Sequence, residues 1–117
     1  MSVARPGDHK DVRLDDVLTK EIVRRILSVS RPDRVILFGS AATGTMNADS
    51  DIDLLVLEAR PQKARDESLR IRSALDGLGF PFDVVVMATD RFEETKGVIG
   101  GLAYPAQKYG KVIFEAA

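Results

Sequence analysis

The chain predicts an α+β domain, a small mixed β-sheet with helices packed on one face. Three features point there. Apolar residues recur at helical spacing in two stretches, short β-rich apolar runs alternate with them, and glycine or proline punctuates most of the joins. The 117 residues suit a single domain. Residues 1–12 carry Pro6 and Gly7 among polar neighbours and read as a flexible lead-in, leaving residues 13–117 as the folded unit.

From Asp15 to about Val29, Leu18, Ile22, Ile26 and Val29 fall on one helical face, and Pro32 stops the helix. Arg34 to Phe38 is an apolar strand that ends abruptly at Gly39. Residues 39–49 are small and polar, with room for one short helical turn. Asp51 to Leu57 reads as the second strand. A helix is expected from about Gln62 to Leu78, since Ala64, Ser68, Ile71, Leu75 and Leu78 share a face. Phe82 to Met87 is the third strand. Thr89 or Asp90 suits the cap of a short helix through Glu94. Pro105 suits the first position of a last helix, where its missing N–H costs nothing. Lys111 to Glu115 closes the chain's regular structure as a fourth strand.

Composition narrows the function classes. Hydrophobic residues at 44% and charged residues at 30% are ordinary globular values and argue against disorder. With no cysteine there is no disulfide, thiolate zinc site or cysteine nucleophile. Neither a signal peptide nor a membrane span is expected, so the reading is a soluble, cytoplasmic protein. A net charge of -1 supplies no basic field for strong nucleic-acid binding. Arg24, Arg25, Arg31 and Arg34 lie close in sequence, but such clusters usually form a solvated face. The single histidine, His9, sits in the polar lead-in.

The chemistry concentrates between Gly39 and Asp53. Asp51 and Asp53 stand two apart on a strand, which puts both carboxylates on one face. Their repulsion is roughly 2–4 kcal/mol at an effective dielectric near 20. A divalent cation between them turns that repulsion into attraction, while the plain alternative is a solvated strand end. Gly39-Ser40 follows a buried strand and opens a turn. Glycine lets backbone approach a phosphate, and N–H groups at a helix start, with the serine hydroxyl, donate to its oxygens. An ordinary strand-to-helix turn with a serine cap is the alternative there. Asp83 interrupts the apolar run Phe82-Asp83-Val84-Val85-Val86-Met87, a poor place for a lone carboxylate. It is either half exposed at the strand's entry or the third acid of a pocket with Asp51 and Asp53.

Gly39-Ser40, ten intervening residues and then Asp51-Ile52-Asp53 resembles the signature of the minimal nucleotidyltransferases of the polymerase-beta superfamily. Ser50 before the first aspartate resembles their usual Ser-Asp-Ile-Asp-Leu form. Asp83 matches their third carboxylate, and Gly101 to Ala106 with Gly110 to Glu115 resembles their ending. The resemblance implies a nucleotidyltransferase fold and transfer of AMP from ATP to a hydroxyl, with release of pyrophosphate. Asp51, Asp53 and Asp83 would be both catalytic and magnesium ligands, for two ions, with Asp83 helping to deprotonate the acceptor. Gly39, Ser40 and Ser50 would bind the nucleotide. Many relatives carry a basic residue where this chain has Ala41 or Thr43.

The chain is short for an acceptor-binding domain, so the acceptor side is expected from another subunit, in a hetero-oligomer. Leu55, Leu57, Val85 and Met87 share the acids' sheet face and need cover, from a partner or from the chain's own C-terminal segment. Stand-alone relatives pair with a helical HEPN toxin as its antitoxin, which implies adenylylation of a toxin tyrosine. Transfer to a small aminoglycoside-like alcohol, and a weakly catalytic antitoxin that acts by binding, are the alternatives; a repair-polymerase role is less consistent with the charge.

Overall fold

A computed structural model describes residues 16–39, 42 and 50–117. The elements run α1 (Asp16–Val29), β1 (Arg34–Phe38), β2 (Ile52–Glu58), α2 (Ala64–Ala74), β3 (Phe82–Ala88), α3 (Thr89–Thr95), α4 (Ala103–Tyr109) and β4 (Lys111–Glu115). The lead-in expected at 1–12, His9, and most of the turn after Gly39, including Ser40, lie outside the described residues.

The four strands form one sheet in the order β3-β2-β1-β4. β2 pairs with β1 antiparallel and with β3 parallel, and β4 pairs antiparallel along the other edge of β1. All of β2 except Asp53 is buried, as its apolar run Leu54-Leu55-Val56-Leu57 demands of a central strand. Alternate residues of the strands feed two cores. Val35, Leu37, Ile52, Leu54, Val56, Val84 and Val86 pack against Ile22 and Ile26 of α1 and Ile71 of α2. On the opposite face Ile36, Leu55 and Leu57 pack against Phe92 of α3 and Ala103 and Ala106 of α4.

The two longer helices share one face and the two short ones cover the other, so helices pack on both faces rather than on the single face expected, because the apolar β2 is buried on both sides. Leu55 and Leu57 are fully buried, so the chain's own C-terminal segment supplies their cover. Alanines at the contact let α4 lie close to the sheet. At its end, a Cβ on Gly110 would overlap the Ala106 carbonyl oxygen and Ile36 Cγ2.

Several element bounds shift by one or two residues from expectation, and three departures matter for the packing and the site. α2 stops near Ala74 rather than Leu78. The Leu75 N–H is shared between the Ile71 and Arg72 carbonyls and the Asp76 N–H turns back to Ser73, tightening the last turn before Gly77 at φ +90°. Leu78 still packs on the core from outside the helix. Pro105 is the third residue of α4, not the first, a position whose N–H also has no intrahelical acceptor. β2 begins at Ile52, leaving Asp51 just ahead of the strand.

The arginines near the N-terminal half serve the fold. Arg24 and Arg25 of α1 both pair with Glu21, and Arg25 also donates to the Asp76 carbonyl at 2.7 Å, tying α1 to the end of α2. Arg34 reaches Glu115 of β4 at 3.2 Å and Glu93 of α3 at 3.7 Å. No helix among the described residues is long and apolar enough to cross a membrane.

Gly110→Ala should destabilise the chain by about 1–3 kcal/mol, because the added methyl has no room between α4 and β1. Urea unfolding followed by far-UV circular dichroism measures it; an unchanged midpoint would mean that α4 is not seated on Ile36.

Candidate functional site

Asp53 is the second residue of β2 and Asp83 the second residue of β3. Because the two strands run parallel and in register, Asp53 lies directly beside Asp83. On its other side Asp53 is paired with Phe38, the last residue of β1. A row Asp83–Asp53–Phe38 therefore crosses the sheet at one end, where β1 gives way to Gly39. Adjacent strands are spaced by about 4.8 Å. The sheet pairing makes the two acids neighbours whether or not their charges agree.

Gly39 completes this end. Its φ of +71° lies in the left-handed region that favours glycine. A Cβ built there would overlap Asp53 Oδ2. The sequence reading attributes this glycine to close approach of a phosphate. The structure adds a second reason, since any side chain at 39 would displace the Asp53 carboxylate.

The electrostatics follow from the placement. Asp53 is half-buried and its carboxyl is held above the ordinary carboxylate range, first by burial, then by the charges of Asp83 and Asp51. Asp51 and Asp83 are exposed. Among the described residues no lysine or arginine makes an ion pair with any of the three. Hard carboxylate oxygens with no cation of their own suit magnesium, and the space left by Gly39 keeps the Asp53 carboxylate in place to serve. The fit is to two acids side by side with a third two residues earlier. Among the described residues no group of three acidic, histidine or cysteine side chains is gathered as a ready-made metal cluster.

The expected residues divide accordingly. Gly39, Asp53 and Asp83 come together at one sheet end. Asp51 and Ser50 precede β2 at that same end, and Ser40 lies outside the described residues. Sequence reasoning passed over Phe38, which sits opposite Asp53 and packs on the α3–α4 core. Its signal was available: it is the last strand residue before the glycine turn.

A mixed sheet with helices on both faces thus carries aspartates at one end of two adjoining parallel strands. Residues 18–104 match the family model described as nucleotidyltransferase domain, and the chain belongs to that family. Among solved structures it is similar to a toxin–antitoxin crystallised with AMP-PNP, at 24% identity and a TM-score of 0.61, covering 84% of this chain and 73% of that one. A proposed nucleotidyltransferase from Sulfolobus solfataricus aligns at 22% identity and a TM-score of 0.57, over 85% and 78% of the two chains. A complex of tri-AMPylated Shewanella oneidensis HEPN toxin with MNT antitoxin aligns at 19% identity and a TM-score of 0.50, over 84% and 70%. These likenesses show the fold. No curated protein sequence is detectably similar to the chain.

The raised carboxyl of Asp53 carries a signed prediction. Its proton is held more tightly in the folded chain than in the unfolded one, so its contribution is present below the ordinary value of 3.8 and lost as pH rises through the folded value. In metal-free buffer at neutral pH, Asp53→Asn should therefore raise the Tm, and the gain should shrink as the buffer is acidified toward pH 4. A Tm lowered at neutral pH would show that Asp53 is held by an attraction instead.

Proposed function

We propose that this chain is a magnesium-dependent nucleotidyltransferase that transfers AMP from ATP to a hydroxyl of a protein partner, a tyrosine of a HEPN-type toxin, and so acts as its antitoxin. The observation that carries the reading is the placement of Asp53 beside Asp83, against Gly39, in a chain of the nucleotidyltransferase family.

Asp51, Asp53 and Asp83 would hold the metal ions. When bound, magnesium would offset the charge of the acids and of the triphosphate oxygens, and two such ions would stabilise the charge that develops during transfer. Asp53, the acid nearest Gly39, orients toward the turn where backbone N–H groups and the Ser40 hydroxyl would take the phosphates. Asp83, exposed on the edge strand β3, would receive the proton of the acceptor hydroxyl. The acceptor oxygen then forms its bond to the α-phosphorus as the bond to pyrophosphate breaks.

Support for a protein acceptor comes from the similar toxin–antitoxin structures, one holding AMP-PNP and another an AMPylated toxin. The apolar sheet face gives no separate support, since α3 and α4 already cover Leu55 and Leu57. Asp83 is exposed, which leaves its carboxylate open to a hydroxyl that a partner would bring.

Incubation of the chain with its helical partner, ATP and magnesium should add one AMP mass per transfer to the partner, read by intact mass spectrometry. Asp53→Ala should lower the rate by at least about 100-fold. An unmodified partner together with an adenylylated small alcohol would replace the protein acceptor with a small-molecule one. A partner neutralised equally well by Asp53→Ala would mean that binding, not chemistry, does the silencing.

A further inference from the structure

At the end of β2 opposite the acidic row, about 17 Å along the strand at 3.3–3.4 Å per residue, a second pair of acids is handled differently. Glu58 is the last residue of β2 and its side chain is buried. Its Oε2 accepts a hydrogen bond of 2.6 Å from the Ser30 hydroxyl, just past α1. Its carboxyl is also hydrogen-bonded to that of Glu67, in α2. Two carboxyl groups can bond to each other only if one of them carries a proton.

The neighbours decide which one does. Arg70, one turn further along α2, forms an ion pair with Glu67 and donates its Nε–H to the Val29 carbonyl at 3.3 Å. Glu67 thus keeps the charge, and its carboxyl is pulled below the ordinary range, chiefly by the bond from Glu58. Glu58 keeps the proton. Burial, then the bond to Glu67, pushes it up to about 7, against smaller opposing pulls from Ser30 and Arg70. The chain Ser30–Glu58–Glu67–Arg70–Val29 closes a ring that joins the end of α1, the end of β2 and the first turns of α2.

We propose that Glu58 and Glu67 form a proton-sharing latch that fastens the start of α2 to the end of β2 and lets it go as the solution turns from acid to alkaline. This inference is independent of the nucleotidyl-transfer reading. Two cavities meet at the latch, of about 550 and 420 Å³, and Glu58, Arg60 and Glu67 line both. The other charged groups facing it are Arg31, beyond α1, and Lys63 and Asp66, at the start of α2. From the β1 side Asp33 accepts from the Thr89 hydroxyl, and on the β3 side the register partner is the uncharged Ala88.

The sign is fixed by which state holds the proton. Glu58's share of the stability is fully present below its ordinary value of 4.5 and is lost as pH rises through about 7. Glu67's share runs the other way and is lost as pH falls through the acid range. The pair titrates as a unit, and the latch is tightest at mildly acidic pH.

Carbon-13 carboxyl NMR of the full chain with labelled glutamate should show one glutamate titrating near 7. Amide exchange at Glu67, whose N–H bonds to the Lys63 carbonyl, should lose about tenfold protection per pH unit as pH rises from about 5 to about 7 and level off above, relative to Glu58→Gln. In Glu58→Gln the amide accepts from Ser30, donates to Glu67 and has no proton to lose, so its protection and Tm should stay level from about pH 5 to 8. The proposal is overturned if every glutamate titrates below about pH 5.5, or if wild type and Glu58→Gln lose protection in parallel. If Glu58→Gln fails to fold, the wild-type titration decides alone.

Discussion

Two like charges held side by side are the constraint on which the site depends. Parallel pairing of β2 with β3 sets Asp53 against Asp83, and neither has an ion-pair partner among the described residues. The unbroken apolar stretch of β2 fixes that register. A one-residue slip would send Leu54, Val56 and their neighbours to the wrong core. The repulsion is therefore imposed by the packing of the rest of the strand. Gly39 accommodates it, since its missing Cβ leaves the space that the Asp53 carboxylate occupies.

The same strand meets the same difficulty at both ends and resolves it in two ways. At the Glu58 end, burial between α1 and α2 makes a second charge too costly, and the acids share a proton. At the Asp53 end the carboxylates are half-buried or exposed, so all three remain available to a cation from solution. One pair can bind the fold together; the other is left for a ligand. The length of β2 keeps these ends apart, and between them two cores flank the strand, α1 and α2 on one face and α3 and α4 on the other.

Much of this was legible in the residues. β1 and β4 fall where their β-rich runs place them, and α1 begins one residue from its expected start, because each is bounded by a clear breaker. The Gly-Ser turn, Asp-x-Asp pair and displaced Asp83 marked the sheet end that the structure assembles. Less legible were features set by contacts distant in sequence. Leu78 continues the helical period, yet the turn at Leu75 and Asp76 ends α2 first. The cover over Leu55 and Leu57 depended on how α3 and α4 dock, which periodicity within a seven-residue helix does not reveal. Glu58 read as an ordinary strand end, since neither Ser30 nor Glu67 is near it in sequence. The match to the nucleotidyltransferase family agrees with the motif reading.

The central claim is that the acidic row is completed by a metal and a triphosphate together. Thermal unfolding of the chain with ATP alone, magnesium alone and both tests it most directly. Each ligand alone should move the Tm little, and the two together should raise it well beyond the sum of the separate shifts, because the carboxylates repel bare ATP and only the pair balances the charge. An equal rise with ATP in the presence of a chelator would contradict the claim and return Asp53 and Asp83 to being an acidic strand end.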